Sequence, residues 1–226
     1  MDGLHLVQTY VQRVRTPELL LVSEHGLRQR EIVEFLRERE TNLVVLSDSL
    51  FGDISPVETP SGIAAVIALP AHATQRPMNG SCVVLDAVQD SGNVGSILRS
   101  AAAAGIGDVL LAQGCAQPWS PRVLRAGMGG HFFLRIHECV DPVKWLADYR
   151  GRILATGARN GRSLFEADLC GPIAWLFGAE GGGLSARLRR MAHDSIYIPM
   201  HSDLESLNVA AAAAICLFEA RRRRLC

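Results

Sequence analysis

The sequence predicts an α/β fold whose mostly parallel sheet is covered by helices on both faces. From Cys82 onward, short apolar runs alternate with helix-like segments, a pattern typical of parallel sheets. Hydrophobic residues make up 48% of the 226 residues, which is enough for a real core and argues against disorder. A polar, proline-containing stretch, Pro70 to Gly80, is the best linker candidate. We therefore expect a small α/β unit at residues 1–72 and a larger unit at residues 79–226.

The small unit is predicted to contain three strands and one amphipathic helix. Apolar residues recur at helical spacing in the helix, and charged residues fill its other face. The predicted strands are Leu19–Val22, Leu43–Leu46 and Gly62–Leu69, and the predicted helix is Arg28–Glu40.

The larger unit is predicted to alternate strands with helices along its length. The predicted strands are Cys82–Leu85, Val109–Ala112, Phe132–Ile136, Ile153–Thr156, Ile173–Phe177 and Ser195–Ile198. The predicted helices are Gly92–Ala104, Pro121–Gly127, Pro142–Tyr149, Leu184–Arg190 and Leu207–Arg222. In such sheets, ligands bind at the carboxyl ends of the strands, where loops lead into helices. Three loops fit that location.

Charge and cysteine usage narrow the class of protein. Residues 1–70 carry net charge −4 and residues 71–226 carry +4. The only lysine is Lys144, so nearly every cation is a guanidinium, a group that suits phosphate. A GC-rich genome would also produce Arg in place of Lys, and this is the favoured explanation. The six cysteines form no Cys-x-x-Cys pair and no cluster with metal spacing, so we expect no metal. The chain shows no signal peptide, and its longest small-apolar run, Val209–Phe218, is too short to span a bilayer. We expect a soluble cytoplasmic protein with no membrane contact.

The first loop runs from Val84 to Arg99 and leads into a helix. Asn93 and Arg99 are separated by nearly two helical turns, so both could face one cleft. The alternative is that Asn93 caps the helix and Arg99 is solvated.

The second loop contains Gly178-Ala179-Glu180-Gly181-Gly182-Gly183 after an apolar strand. Its glycines permit positive φ and close approach of a ligand, but they lack the spacing of a dinucleotide or P-loop motif. Glu180 would repel a phosphate, which favours a ligand with hydroxyls, an amine or a positive centre. The alternative is a flexible turn with an exposed Glu.

The third loop lies within Ile198–Ala214, where Glu205-Ser206-Leu207-Asn208 opens an alanine-rich helix. One capping side chain suffices for an ordinary helix start. Ser206 and Asn208 together, beside small residues that allow close backbone approach, indicate a helix N-terminus that also meets a ligand.

In this order, the three loops resemble motifs 1, 2 and 3 of the SpoU (TrmH-like) family of RNA ribose 2′-O-methyltransferases, in the SPOUT class. The corresponding segments are Asp90–Arg99, Phe177–Ser185 and Ile198–Ala210, and the resemblance covers about residues 80–222. Glu58–Ala65 is similar to the end of the family's N-terminal RNA substrate-binding domain.

The resemblance implies a SPOUT-type parallel sheet with a deep C-terminal trefoil knot, behind a small N-terminal α/β substrate-binding domain. It implies S-adenosyl-L-methionine as the methyl donor and a homodimer with the active site near its interface. It also implies methylation of a ribose 2′-hydroxyl, with ribosomal (23S) RNA as the favoured substrate. The alternatives are a tRNA ribose 2′-O-methyltransferase and an RNA-binding homologue without catalysis. A dinucleotide-dependent enzyme is disfavoured because its fingerprint is missing.

Matching positions supply the expected site residues. The expected catalytic residues are Arg99, Asn93, Glu180, Ser206 and Asn208. The expected cofactor-binding residues are Leu176, Phe177, Gly178, Ile198, Met200, Ser206 and Leu207. The expected RNA-binding residues are Arg99, Arg122, Arg125 and Arg135.

Two features depart from the family pattern. Ser91 occupies a position that is usually Pro in motif 1, which loosens the loop without removing a functional group. The N-terminal region is acidic, whereas RNA affinity rests mainly on phosphate neutralisation. We therefore expect residues 1–70 to contribute shape more than charge.

Overall fold

The computed structural model describes residues 1–37, 42–55, 57, 59–69, 80–157, 161–201 and 206–225. The described residues form a three-stranded sheet at the N-terminal end and a seven-stranded sheet in the rest of the chain. Of the predicted linker, Pro70 to Gly80, only Gly80 belongs to the described residues. Glu58 and Glu205, from the segments matched to the family, also lie outside them.

The small sheet has the strand order β2-β1-β3, with β2 parallel and β3 antiparallel to β1. Its elements are α1 (Leu4–Arg13), β1 (Leu19–Ser23), α2 (Arg30–Arg37), β2 (Leu43–Leu46), α3 (Asp48–Ile54) and β3 (Ile63–Val66). The three predicted strands are present, but the sequence analysis missed α1 and α3. The predicted Arg28–Glu40 helix is a 3₁₀ turn over Gly26–Arg28 followed by α2, and residues 38–41 lie outside the described part.

The large sheet has the order β6-β5-β4-β9-β7-β10-β8, and every neighbouring pair is parallel. Its strands are β4 (Cys82–Asp86), β5 (Asp108–Ala112), β6 (Arg135–Val140), β7 (Arg152–Thr156), β8 (Arg162–Ser163), β9 (Ile173–Gly178) and β10 (Asp194–Tyr197). Its helices are α4 (Ser91–Ala103), α5 (Pro121–Gly127), α6 (Pro142–Leu146), α7 (Ala186–Met191) and α8 (Val209–Leu225). The prediction of an α/β fold with a mostly parallel sheet is confirmed.

Two apolar cores cover the two faces of this sheet. Side chains alternate between faces along a strand, so Val83 and Leu85 join one core while Cys82 and Val84 join the other. The first core contains side chains of α4, α5 and α8, and the second contains those of α6 and α7. Helices therefore cover both faces, as the sequence predicted.

The predicted strand Phe132–Ile136 is wrong in its first half. A 3₁₀ helix occupies Gly130–Phe133, and β6 begins only at Arg135. Met128 and Gly129 have φ of 45° and 84°, and two left-handed residues in succession turn the chain before the aromatic pair. The apolar run therefore packs as a turn against α4 instead of extending the strand.

In the described part of the chain, no helix combines the length and apolar character that crossing a membrane requires.

Candidate active site

The three motif loops meet at the carboxyl edge of the large sheet. Asp86 ends β4, Gly178 ends β9 and Tyr197 ends β10, and parallel strands bring these ends to one edge. Asp86 also joins two loops directly, because its Oδ2 accepts a hydrogen bond from the Ser185 backbone N–H at 2.7 Å.

The N-terminus of α4 is capped by Asp90. Its Oδ1 accepts a hydrogen bond from the Asn93 backbone N–H at 2.7 Å. The alternative in which Asn93 caps this helix is therefore wrong. Because Asp90 serves as the cap, the Asn93 side chain is available to the other loops.

Asn93, Glu180 and Asn208 form a closed hydrogen-bonded triangle that joins all three loops. Glu180 Oε1 accepts from Asn93 Nδ2 and from Asn208 Nδ2, each at 2.8 Å. Asn208 Nδ2 also donates to Asn93 Oδ1 at 2.9 Å. Glu180 is exposed, but it does not lie in an unrestrained turn, because both amides hold its carboxylate.

Glycine allows the second loop to fold back on its own strand. A Cβ on Gly178 would lie 2.2 Å from the Gly183 carbonyl carbon, and the Gly183 N–H donates to Ala179 O at 2.7 Å. Only glycine fits so close an approach. The tight loop places Glu180 over the end of β9.

The N-terminus of α8 depends on Asn208. Its Oδ1 accepts from the backbone N–H groups of Ala210 at 3.0 Å and Ala211 at 3.2 Å. One amide therefore caps the helix with its oxygen and holds the triangle with its nitrogen. The helix begins at Val209, two residues later than predicted.

Beside the triangle lies a cavity of about 450 Å³, a size typical of small-molecule sites. Of the expected site residues, those lining it are Phe177, Gly178, Glu180, Ile198, Met200, Ser206 and Leu207. Further lining residues that the sequence analysis did not name include Thr156, Gly157, Ile196, Tyr197, Val209 and Cys216. Thr156 and Gly157 could have been predicted, because β7 ends at Thr156 and ligands bind at the carboxyl ends of parallel strands.

Leu176 and Arg99 lie outside the cavity lining. Leu176 is buried in the opposite core, because alternation along β9 turns it away from the face that Phe177 occupies. Arg99 is exposed on α4. Arg99 follows Asn93 by six residues, and at about 100° per residue this is about 120° short of two full turns. The two side chains therefore leave the helix in different directions.

The remaining arginines occupy two different environments. Arg122 and Arg125 are exposed on α5. Arg135 stands at the opposite, amino edge of the sheet, where its Nε donates to the buried Asp108 at 2.8 Å. Burial would raise the pKa of Asp108, but hydrogen bonds from His137 and Arg135 outweigh this effect and hold the pKa below its ordinary value.

The arrangement suits a ligand with an apolar ring and a positive centre. Phe177, Ile196 and Leu207 offer apolar walls, and the Glu180 carboxylate supplies negative charge at the rim. A Cβ on Gly157, which has φ of 113°, would meet no atom within 4 Å, so that wall is open. The described residues contain no cluster of three or more side chains able to hold a metal ion.

Comparison with known proteins identifies one family for this chain. The family model described as the SpoU rRNA Methylase family matches residues 80–218. The chain is 32% identical to 23S rRNA (guanosine(2553)-2′-O)-methyltransferase RlmP of Bacillus subtilis, over 95% of this chain and 93% of that protein.

Two solved structures have the same fold. The SpoU methyltransferase AviRb from Streptomyces viridochromogenes, in complex with AdoMet, has a TM-score of 0.87 and 27% identity, covering 100% of this chain and 89% of that one. An AdoMet-bound rRNA methyltransferase from Sinorhizobium meliloti has a TM-score of 0.81 and 26% identity, covering 99% and 86%. The chain belongs to the SpoU family of RNA methyltransferases.

Proposed function

We propose that this protein transfers the methyl group of S-adenosyl-L-methionine to a ribose 2′-hydroxyl of ribosomal RNA. The observation that carries the proposal is the Asn93–Glu180–Asn208 triangle beside the cavity. The full-length match to a 23S rRNA 2′-O-methyltransferase favours ribosomal RNA over tRNA. The proposal includes a cytoplasmic location, where the protein would meet this substrate.

The cavity is the donor site in this proposal. S-adenosyl-L-methionine supplies a methyl group on a positively charged sulfur, which a ribose oxygen can attack. Phe177, Ile198 and Leu207 would hold apolar parts of the donor, and Gly178 and Met200 line the same cavity. The Glu180 carboxylate offsets the positive charge.

The triangle positions the reacting groups. Asn93 and Asn208 fix the Glu180 carboxylate from two sides, so its charge is already in place when the donor binds. Ser206 lines the cavity next to the α8 N-terminus, where its hydroxyl can orient the ribose.

Arg99 acts on the RNA in this proposal. A guanidinium stays protonated in proteins, which makes it a poor base and a good clamp. We assign it to grip the substrate phosphate and stabilise negative charge that develops on the 2′-oxygen, while the proton leaves to that phosphate. Arg122 and Arg125 extend the cationic surface along α5. Arg135 belongs to the Asp108 ion pair and is left out of the RNA surface.

The decisive variants are Arg99→Ala and Arg99→Lys, assayed by transfer of labelled methyl to unmodified total RNA. Loss of one transition-state contact lowers turnover by about 10²- to 10³-fold, so Arg99→Ala should be nearly inactive. Its affinity for S-adenosyl-L-methionine, measured by calorimetry, should match that of the unchanged protein because Arg99 does not line the cavity. An Arg99→Lys protein that retains most activity would contradict the bidentate grip.

The proposal also includes a homodimer. The exposed side of α8 carries Ala211, Ile215 and Phe218 in register, which gives a short apolar stripe on a helix that packs against α4. Ile215 and Phe218 are 38% and 46% exposed in the single chain. An apolar stripe that borders the helix carrying Arg99 supports a second copy covering this face.

We infer a deep trefoil knot in the C-terminal part of the chain. β10 lies near one end of the sheet, yet α8, which follows it, packs on α4 in front of the central strands. β9 occupies the centre between β4 and the earlier strand β7. Such an order is expected when a C-terminal segment passes through a loop formed by earlier parts of the chain. We also propose that residues 1–72 form the substrate-binding domain.

A further inference from the structure

The chain reverses beside Arg99 through the 3₁₀ turn Gly130–Phe133. The turn lies directly on α4, because a Cβ on Gly130 would stand 2.9 Å from the Arg99 Cα and 3.2 Å from its nitrogen. A 3₁₀ helix has three residues per turn, so Phe133 falls in line with Gly130, about 6 Å further along the axis. Phe133 therefore lies one 3₁₀ turn from the residue that packs on the Arg99 backbone.

The Phe133 ring is an exposed aromatic surface with a cation on it. Its side chain is 47% exposed. The Arg13 guanidinium carbon lies 4.5 Å from the ring centroid, within cation–π range. Arg13 belongs to the last turn of α1, so its contact with Phe133 joins the small unit to the large one.

Neighbouring contacts hold this pair in place. Tyr10 of α1, which is 1% exposed, meets the Phe132 ring edge-on with centroids 5.2 Å apart. Gly129 lies so close to Thr9 that a Cβ would stand 2.9 Å from Thr9 Cγ2. These contacts hold α1 against the turn, which keeps the backbones of Arg13 and Phe133 close to each other.

We propose that Arg13 and Phe133 form a stacking platform for an unpaired base of the RNA substrate, beside the nucleotide whose ribose lies at Arg99. This proposal rests on the proposed function and names a recognition element for it.

The surroundings favour a nucleic-acid base as the occupant. Proteins bind single-stranded RNA with exposed aromatic rings and arginine planes set among phosphate-binding cations. Arg122 and Arg125 are exposed on α5, the helix that leads through Met128 into the turn. The cation on the ring is Arg13, so the small unit contributes charge at this edge in spite of its net charge of −4.

The test compares Phe133→Leu and Phe133→Trp with a matched control, Phe165→Leu. Phe165 is similarly exposed at 54%, but it follows β8 at the far end of the sheet from β6. The probe is a short single-stranded RNA carrying one 2-aminopurine, whose fluorescence falls when it stacks on an aromatic ring. Dissociation constants come from this signal without any methyl transfer, and KM and kcat come from transcribed 23S RNA.

Base–aromatic stacking predicts that Phe133→Leu weakens RNA binding by about 5- to 150-fold and loses the quenching. Phe133→Trp should retain the affinity and the quenching, and Phe165→Leu should match the unchanged protein. For Phe133→Leu, KM should rise by a larger factor than kcat falls. Arg13→Gln should weaken binding and reduce quenching in the same direction as Phe133→Leu, because it removes the cation that stacks on the ring.

Three outcomes would overturn the platform. Phe133→Leu could bind and quench like the Phe165→Leu control, it could lose affinity for S-adenosyl-L-methionine as well, or it could alter self-association in sedimentation. Binding and quenching like the control would show that Phe133 does not stack on a base. A loss of donor affinity would indicate a folding defect, and altered self-association would indicate that Phe133 contacts protein instead of RNA. If the unchanged protein methylates no RNA but its quenching still depends on Phe133, the proposed function fails and the platform stands.

Discussion

Asn208 performs two tasks with one amide group. Its oxygen caps α8 through Ala210 and Ala211, and its nitrogen donates to Glu180 and Asn93. Helix stability and site geometry thus depend on opposite ends of the same side chain. This separation makes the triangle testable without unfolding the helix.

Asn208→Asp keeps an oxygen for the cap but removes both donors and sets a second carboxylate against Glu180. A hydrogen bond to a charged group contributes about 1.5–3 kcal/mol, so kcat/KM should fall by about 10- to 100-fold. The thermal midpoint should fall as well, because the folded protein loses the same hydrogen bonds before any substrate binds. Asn208→Ala is the comparison, because it loses the donors and about 1 kcal/mol of cap as well. Full activity in Asn208→Asp would remove the triangle from the mechanism.

Part of the site could be predicted at the residue scale. The motifs indicated Asn93, Glu180 and Asn208, but sequence spacing could not show that they bond to one another, because they are separated by 28 to 115 positions. The Asp90 cap was available as a signal, since Asp three residues before Asn93 satisfies the capping rule. Leu176 was expected to contact the donor through its backbone, but its carbonyl oxygen accepts from the Thr156 hydroxyl and its side chain lies in the opposite core.

At the scale of elements, glycine sets the distance between α4 and α5. A Cβ on Gly95 would lie 2.5 Å from Ala126 Cβ and 2.6 Å from the Val123 carbonyl oxygen. α5 therefore rests directly on the α4 backbone. Any added atom at this position must move α5, together with Arg122 and Arg125.

Gly95→Ala should destabilise the large unit by about 1–2 kcal/mol. Overpacking costs about 1–3 kcal/mol, and the gain in helix propensity, up to about 1 kcal/mol, offsets part of it. Urea unfolding followed by tryptophan fluorescence measures this change, because Trp119, Trp145 and Trp175 all belong to the large unit. Gly182→Ala is the control, since its Cβ would meet nothing within 4 Å. Equal stability of the two variants would contradict the close packing.

Two arginines in the run at the end of α8, Arg222 and Arg223, form ion pairs within the protein. Glu219 accepts from Arg222 at 2.9 Å and from Arg223 at 2.7 Å. Arg223 also donates to the Ala167 carbonyl at 2.7 Å, which ties α8 to the loop after β8. These arginines hold the pKa of Glu219 at about 2, below its ordinary value of 4.5.

A depressed folded-state pKa gives stability that is present above the unfolded value and is lost on acidification. The contribution of Glu219 should therefore be complete above about pH 5 and should disappear as the pH falls towards 2. Glu219→Gln should flatten this part of the curve of unfolding free energy against pH. Glu34→Gln, which breaks an exposed pair with Arg30 on α2, is the control. A Glu219→Gln curve parallel to that of the unchanged protein would contradict the assignment.

The elements of the large unit were more predictable than those of the small one. Its strands are buried on both faces and read as continuous apolar runs, so β4, β5 and β9 were placed within one residue. α1 carries a helical apolar pattern at Leu6, Val7 and Tyr10 that was available but not used. β8 has two residues, too few for any periodicity. The Gly130–Phe133 turn depends on a left-handed Met128, which no pattern reveals.

At the scale of the whole molecule, the two units share one surface at the proposed RNA site. The sequence predicted that acidic residues 1–70 contribute shape more than charge. In the fold, α1 brings Arg13 over Phe133 and packs Tyr10 on Phe132. The net charge of a unit therefore does not describe the edge that it presents to a partner. The charge at that edge depends on a few arginines that the fold brings together.

The position of the transferred methyl group tests the central claim most directly. The protein is incubated with methyl-labelled S-adenosyl-L-methionine and unmodified 23S RNA, and the RNA is then hydrolysed with alkali. Methylation of a ribose 2′-oxygen blocks cleavage at the next phosphate, so the account predicts that the label remains in an alkali-resistant dinucleotide. Label released on a base within an ordinary mononucleotide would contradict it.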